Sequence, residues 1–282
     1  MINKILSLSI NCWVRWTGYK KNINEIPWLK GPYGKSSFIG DGFYKEFAKE
    51  SNLKISIDKS HGLLSDFLLA IDKNDVNKNR LQESVKHFYE HTSQYTLDVW
   101  SEWYHPVKYF AHILINTVSS GIDQLNIPLK PLETSRGMSN EVIALKDEND
   151  RQVMTCWLRK AILTKKVTYA GFYSAVNIDE KPYVRVIFPL PKGSATVLLR
   201  VEVQDDGSVK LISDGKKPGG AGYYRIKVMN DSTIRYKFIP LKELIHVFTD
   251  EEGVLRTDHT FWYWGMKFLQ LHYKINPLKK SS

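Results

Sequence analysis

The most constraining feature of this sequence is a change of periodicity near residue 141. From there the chain runs through short segments rich in Val, Ile, Tyr, Phe and Thr, separated by turn-forming stretches such as "DDG", "NDS" and "DEEG". Segments joined this closely are antiparallel neighbours, because a parallel connection needs about a dozen residues or more. The pattern predicts roughly ten strands in a sheet that curls or closes to protect its edges. The predicted strands are 141–145, 152–160, 166–178, 183–189, 195–204, 208–213, 222–228, 233–239, 244–249 and 254–264.

Residues 1–140 show helical and loop-like patterns instead. Apolar residues between 80 and 103 recur at alternating steps of four and three, which indicates a long helix with one core-facing side. A second, largely apolar helix is expected to begin at Pro106. We therefore predict an α+β fold in which N-terminal helices pack on a large, curved or closed antiparallel sheet.

The expected organisation follows from this change of pattern. A helical region at 1–140 packs on the sheet or barrel at 141–275, and a basic tail occupies 276–282. At 282 residues the chain is long enough to bury a substantial core without metal or disulfide support. Cys12 and Cys156 are far apart, which argues against a disulfide framework and fits a reducing cytoplasm. We expect one integrated domain in a cytoplasmic protein.

The basic character of the chain suggests an anionic partner. The formal net charge is +10, but the lysines are dispersed in pairs, and no nucleic-acid motif is present, so we predict no specific nucleic-acid binding. Residues 1–16 form an amphipathic pattern with one apolar side. That side packs on the protein's own core, or it lies on an anionic membrane with Arg15, Lys20 and Lys21 at the headgroups. The second alternative predicts attachment to the inner membrane face.

A polar stripe accompanies the apolar side of the predicted helix 80–103. The stretch "HFYEH" matches the H-x-x-E-H pattern of inverted zinc peptidases. Five-residue patterns arise readily by chance, and no third ligand is recognisable downstream, so we predict neither a metal nor a cofactor. A solvated helix face explains the stripe, while His91 and Asp98 remain candidate acid–base residues. The stripe comprises His87, His91, Gln94, Asp98 and Glu102.

The stretch "RTDHTFWYWG", residues 256–265, contains the other two candidate catalytic residues, Asp258 and His259. Neighbouring residues of a strand point to opposite faces, so only one of the two enters an interior. If His259 faces inward, it is an imidazole among aromatic residues that can act as acid or base near neutral pH. If the other face is inward, Arg256 and Asp258 form an interior ion pair. The structural alternative is a histidine hydrogen-bonded to a neighbouring strand or helix.

Aromatic residues supply candidate ligand contacts. The chain has eight tryptophans and fifteen tyrosines, and such large flat side chains either fill a core or wall a ligand site. Arg136, in the irregular stretch "TSRGM", is placed to bind a ligand carboxylate or phosphate, or to cap a helix end. The predicted ligand-binding residues are Arg136, Phe261, Tyr263, Trp100 and Trp157.

Several segments resemble a family of uncharacterised bacterial proteins. They are "FYEHTSQYTLDVWSEW", "PLETSRGM", "FPLPKGSATVLLR", "EEGVLRTDH" and "LHYKI". The resemblance covers residues 80–275 and implies no activity or functional residue. The predicted curved sheet is also similar, in architecture alone, to lipocalin-like and START-like ligand cages, and architecture does not define function.

Two classes of function remain after these arguments. The first is binding of a hydrophobic small molecule, lipid-like or of polyketide or terpenoid type, in a cavity of the curved sheet. The alternative is an acid–base enzyme, an isomerase, cyclase or hydrolase, that acts on such a molecule. A weaker alternative is a peripheral membrane protein. The sequence does not predict the oligomeric state.

Overall fold

The computed structural model describes residues 12–35, 38–105, 124–125, 137–163 and 165–278. Within these residues, 14 strands form one sheet in which all the paired strands are antiparallel. The prediction of a large antiparallel sheet is confirmed, and each of the ten predicted segments contains a strand, whereas helices are few within the described residues. The sheet is not closed, because β2 and β3, at the two ends of the main strand path, are not paired with each other.

The elements have the following bounds. Residues 12–17 are helical (α1), α2 is Phe43–Glu50, α3 is Glu83–Glu90, and 3-10 turns lie at Ile23–Glu25, Pro27–Leu29, Phe67–Ala70, Lys78–Arg80 and Thr92–Gln94. The strands are β1 Tyr19–Asn22, β2 Lys54–Ser56, β3 Tyr95–Trp103, β4 Glu141–Lys146, β5 Gln152–Lys160, β6 Val167–Ile178, β7 Lys181–Leu190, β8 Gly193–Val203, β9 Val209–Ile212, β10 Gly222–Val228, β11 Thr233–Ile239, β12 Leu241–Thr249, β13 Leu255–Tyr263 and β14 Met266–Pro277.

The sheet divides into two arms at β8, because the two halves of this strand have different partners. Residues 193–198 pair with β10, whereas residues 200–203 pair with β9. The first arm has the strand order β2-β4-β5-β6-β7-β8-β10-β11-β1, and the second arm has the order β8-β9-β12-β13-β14-β3. A long strand shared in this way lets one sheet fold over on itself.

The main hydrophobic core lies between the two arms. It joins Val142, Trp157 and Val186 of the first arm to Leu97, Val247, Leu255 and Ile275 of the second. Burial of these side chains, at about 25 cal/mol per Å² of apolar surface, stabilises the contact between the arms. The other face of the first arm is covered by α2 and by the N-terminal segment. The inward face of the first arm therefore meets the inward face of the second.

The prediction of one helix over 80–103 is wrong in its second half. Helix α3 ends at Glu90, and Tyr95–Trp103 forms β3 with alternating buried and exposed residues. The predicted apolar stripe passed through Tyr95, Val99 and Trp103, which are four residues apart. A step of four keeps residues on one side of a helix and also on one face of a strand, so this spacing does not distinguish them.

Other differences concern the ends of the chain. Strand β14 was not predicted, and β1, β2 and β3 bring residues from the predicted helical region into the sheet. The helix expected from Pro106 lies outside the described residues, as do residues 1–11 of the amphipathic segment. No helix within the described residues is long and apolar enough to span a bilayer.

Candidate functional site

Strand β13 places Asp258 and His259 on opposite faces of the second arm. His259 faces the first arm, and its Nε2 donates a hydrogen bond to Oε2 of Glu243 on β12 over 2.7 Å. Asp258 lies on the outer face, where it accepts a hydrogen bond of 2.6 Å from Nδ1 of His272. The two residues are neighbours in sequence, but they belong to separate polar pairs.

The Glu243–His259 pair is nearly enclosed. The side chain of His259 is 15% exposed and that of Glu243 is 8% exposed. A carboxylate that accepts from Nε2 holds the imidazole in one orientation and leaves Nδ1 as the basic nitrogen of the neutral ring. The pair therefore has the arrangement of an oriented acid–base group.

Four tyrosines project into the space between the arms: Tyr169 and Tyr173 of β6, Tyr223 of β10 and Tyr273 of β14. Each packs against the main core and yet keeps part of its surface accessible. Burial raises the pKa of all four hydroxyls, so the surrounding protein shields them from bulk water. A cavity of about 350 Å³, lined by Tyr183 and Arg200 among others, lies elsewhere, but the partial accessibility of the four tyrosines indicates space beside them between the arms. We call this space the interior recess.

Arg159 of β5 is fully buried beside the recess, with 0% of its surface exposed. Its Nε donates to the carbonyl of Ser139 over 3.2 Å, and its Nη2 donates to the carbonyl of Leu97 over 3.0 Å. The hydroxyl of Tyr169 interacts with its guanidinium, which also lies 5.5 Å from the ring centroid of Trp157. By distance and angle its Nη1 has no hydrogen-bond partner among the described residues, and no described carboxylate forms a salt bridge with it. A buried guanidinium without a counterion is costly. Arg159 is therefore suited to bind an anionic group.

A second buried arginine shows the contrast. Arg185, on the outer face of β7, donates to the hydroxyl of Ser174 and to the carbonyls of Trp28 and Lys30 at 2.9 to 3.3 Å. Burial lowers the pKa of Arg185 to about 10. Its contacts fasten the N-terminal segment to the first arm, a structural task that accounts for its burial.

Electrostatic coupling links Arg159 to the Glu243–His259 pair through Tyr273. Burial is the main cause of the raised pKa of Tyr273. The charge of Arg159 lowers this pKa, and the charge of Glu243 raises it. The pKa of Tyr173 is raised by burial and then by Tyr169, Tyr273 and Glu243, among others. Tyr273 therefore lies within electrostatic range of both Arg159 and Glu243.

Aromatic rings form the apolar part of the recess. The ring centroid of Trp157 lies 5.6 Å from that of Tyr169 and 5.7 Å from that of Tyr173, in edge-on contacts. Phe188 meets Tyr169 at 6.1 Å, and Phe261 lies 4.0 Å from the ring of His259. The recess therefore combines flat apolar walls with one buried cation and one oriented imidazole.

Exposure along β13 indicates where the recess approaches the surface. On its inward face, Leu255 and Thr257 are each 6% exposed, His259 and Phe261 are partly buried, and Tyr263 is 37% exposed. Accessibility thus rises from the core toward the turn between β13 and β14.

The structure brings only some of the predicted site residues together. His259, Phe261 and Trp157 lie on the inward faces, and Tyr263 extends the same row of β13 to the surface. Trp100 and Asp98 lie on the outer face of β3, where Trp100 is 49% exposed and Asp98 is opposite Lys274. Arg136 lies outside the described residues.

His91 does not belong to the Glu243–His259 pair. It caps the end of α3, and its Nδ1 donates to the carbonyl of Ser60 over 2.8 Å. His87 instead forms a 2.8 Å hydrogen bond with the hydroxyl of Tyr95. No group of three metal-ligating side chains occurs in the described part of the chain. Both histidines of "HFYEH" therefore form hydrogen bonds with other residues of the fold.

Six recess residues were not predicted: Arg159, Tyr169, Tyr173, Tyr223, Glu243 and Tyr273. Alternation alone places Arg159 on the same face as Trp157, and Glu243 on the same face as Val247. That signal was available in the sequence. Alternation along a strand does not show that residues of the first arm contact residues of the second arm.

Comparison with known proteins gives one distant relative. The chain is 25% identical over 254 residues to a Bacillus subtilis (strain 168) protein named "Uncharacterized membrane protein YndJ". The match covers 88% of this chain and 43% of that protein, so the chain spans less than half the length of this relative. No family model matches the chain, and no solved structure matches it. These findings agree with the resemblance to uncharacterised proteins.

Proposed function

We propose that the protein binds an amphipathic small molecule in the interior recess, with the anionic group of the ligand at Arg159. The observation that carries this proposal is the fully buried guanidinium, whose Nη1 has no hydrogen-bond partner among the described residues. Because Arg159 has no exposed surface, an anion reaches Nη1 only when the rings that cover it move, and it then supplies the missing counterion and hydrogen bonds. Charge-assisted hydrogen bonds of this kind are strong in a site shielded from water.

The walls of the recess account for the apolar part of the ligand. Trp157, Tyr169, Tyr173 and Phe188 offer flat surfaces in edge-on contact, against which rings or an acyl chain can pack. The tyrosine hydroxyls offer hydrogen bonds to polar atoms along its length. The distant relative is named a membrane protein, and this name favours lipids among the amphipathic molecules with this chemistry.

Binding of 1-anilinonaphthalene-8-sulfonate tests the proposal, because this probe combines aromatic rings with a sulfonate. We expect saturable binding with increased fluorescence. Arg159→Met should weaken it by at least about tenfold, the factor that corresponds to one charge-assisted hydrogen bond. Arg159→Lys should retain part of the affinity, because the positive charge is kept.

A surface variant provides the control. Arg151, which pairs with Asp147 at the surface and is 74% exposed, should be replaceable by Met without effect on the probe. Equal binding by the wild type and Arg159→Met would contradict the proposal. Native mass spectrometry of freshly isolated protein would add the mass of any molecule that co-purifies, and Arg159→Met should lose it.

A second candidate function is acid–base catalysis on the bound molecule. The 2.7 Å contact between His259 and Glu243 favours it, since a buried carboxylate orients the imidazole inside the recess. In this mechanism, Nδ1 of His259 accepts a proton from the bound molecule, and Glu243 stabilises the resulting imidazolium.

The test compares molecules recovered from three proteins: the wild type, His259→Gln and Glu243→Gln. If the recess is catalytic, the variants should retain a substrate that differs in mass or chromatographic retention from the molecule held by the wild type. Recovery of the same molecule from all three leaves binding as the function and refutes catalysis. The expected cytoplasmic location and the absence of specific nucleic-acid binding stay predictions.

A further inference from the structure

The turn between β13 and β14 contains an unusual tryptophan. The turn consists of Trp264 and Gly265, whose φ values are 49° and 81°. Two-residue hairpin turns with positive φ at both positions favour Asn, Asp or Gly at the first position, because a bulky side chain is disfavoured there. Trp264 is also 72% exposed. Neither backbone preference nor packing within the chain explains a tryptophan at this place.

Other exposed aromatic and apolar side chains accompany Trp264. Tyr263 is 37% exposed and its ring centroid lies 4.9 Å from that of Trp264, while Met266 is 54% exposed. Helix α1 contributes Trp13 and Trp16, which are 44% and 80% exposed. We call these five residues the aromatic rim. Large apolar side chains gathered at a surface are typical of an interaction site.

The two parts of the aromatic rim flank the connection between β11 and β12. The backbone nitrogen of Trp264 donates to the carbonyl of Pro240 over 3.2 Å. On the other side, Nζ of Lys237 lies 5.5 Å from the ring of Trp13 and donates to the carbonyl of Thr17 over 3.3 Å. Lys237 and Pro240 are three residues apart, at most about 11 Å of extended chain. The two parts of the rim therefore border the same β11–β12 connection.

Positive charge surrounds the rim. Arg15, Lys20 and Lys242 are exposed, Lys237 lies within it, and Nζ of Lys267 lies 4.5 Å from the ring centroid of Tyr104. The net charge of the whole chain is +10. Tryptophan and tyrosine prefer the headgroup level of a bilayer, and lysine and arginine are attracted to anionic headgroups.

The opposite end of β13 has the opposite character. The turn before it, "DEEG" at 250–253, carries three acidic residues. With nine residues, β13 separates the two ends by about 30 Å. A negatively charged surface would attract the rim and repel the acidic turn, so the charge distribution defines one orientation.

We infer that the aromatic rim docks on an anionic phospholipid surface, with Trp264 and Trp16 in the headgroup layer. This inference does not depend on a ligand in the interior recess.

Flotation with vesicles of phosphatidylcholine, with and without phosphatidylglycerol, tests this docking. The full chain should float with the anionic vesicles. Trp264→Asn should lower the partition coefficient by about tenfold or more, because the large exposed area of the tryptophan no longer enters the interface. Lys242→Gln should lower it by about fivefold on anionic vesicles only.

Trp100→Ser is the matched control, because Trp100 is an exposed tryptophan on the outer face of β3, outside the rim. It should change the partition coefficient by less than about twofold. Asn suits the turn, so Trp264→Asn should keep the unfolding temperature of the wild type or raise it. Failure of the wild type to float, or equal losses for Trp264→Asn and Trp100→Ser, would overturn the inference. A dimer in sedimentation that Trp264→Asn dissociates would also overturn it and assign the rim to self-association.

Discussion

Replacement of Arg159 by methionine decides whether this buried guanidinium serves the fold or a ligand. The change removes two hydrogen bonds, to the carbonyls of Ser139 and Leu97, at a cost of about 1.5–3 kcal/mol each. It also removes a fully buried charge whose effective desolvation penalty is several kcal/mol. Because these effects oppose each other and are of similar size, the free energy of unfolding should change by less than about 2 kcal/mol. Urea denaturation followed by circular dichroism measures this.

The same variant should lose ligand-linked stability. A ligand present at 100 times its Kd stabilises the native state by about 2.7 kcal/mol, which corresponds to a rise of roughly 5 °C in Tm for a chain of this size. With 1-anilinonaphthalene-8-sulfonate as the ligand, this rise should appear in the wild type and be absent from Arg159→Met. Differential scanning calorimetry with and without the probe gives both values.

Two results would refute this reasoning. If Arg159→Met loses more than about 4 kcal/mol of stability in the absence of probe, the guanidinium is primarily a structural link between β3 and β5. If the probe raises Tm equally in the wild type and the variant, it binds elsewhere. Arg159→Lys distinguishes loss of charge from loss of geometry, because it keeps the charge while losing the planar guanidinium.

Three further predictions follow from individual residues. Burial lowers the pKa of His246, so the unfolded chain takes up a proton at higher pH than the folded chain does. The stability that depends on neutral His246 is therefore present above about pH 6.5 and is lost as the pH falls below it. His246→Gln should make the urea midpoint less dependent on pH in this range. Cys12 is exposed, whereas burial raises the pKa of the Cys156 thiol, so a thiol reagent should react with one cysteine in the native protein and with two after unfolding. Gly193→Ala should destabilise the fold by more than about 3 kcal/mol in the same denaturation assay, since the added Cβ would lie 2.0 Å from the carbonyl oxygen of Ile226.

Alternation along single strands was enough to separate Asp258 from His259. Pleating sends consecutive side chains to opposite faces whatever the surrounding fold. It also grouped His259 with Leu255, Thr257 and Phe261 on one face of β13. Which of the two faces is inward depended on the second arm folding over the first, and a single strand carries no information about that.

The partner of His259 shows the limit of local patterns more clearly. Glu243 is 16 residues away, and the pair forms because β12 and β13 run antiparallel in a register that sets Ile245 opposite His259. Arg159 is farther still, on the first arm. Alternation places Arg159 on the face of Trp157, but a charged residue in a strand is usually solvated, so the sequence alone does not predict that this cation is buried.

The amino-acid sequence by itself determined the antiparallel sheet, because β-branched and aromatic runs separated by short polar turns have no other low-energy arrangement. It left 95–103 ambiguous between helix and strand, since steps of four satisfy both periods. Only the tertiary structure decided that β8 divides the sheet into two arms and that their inward faces enclose Arg159, Glu243, His259 and four tyrosines. The physical reason is that burial and charge coupling depend on the distance between residues remote in sequence, and that distance arises only when the arms pack together.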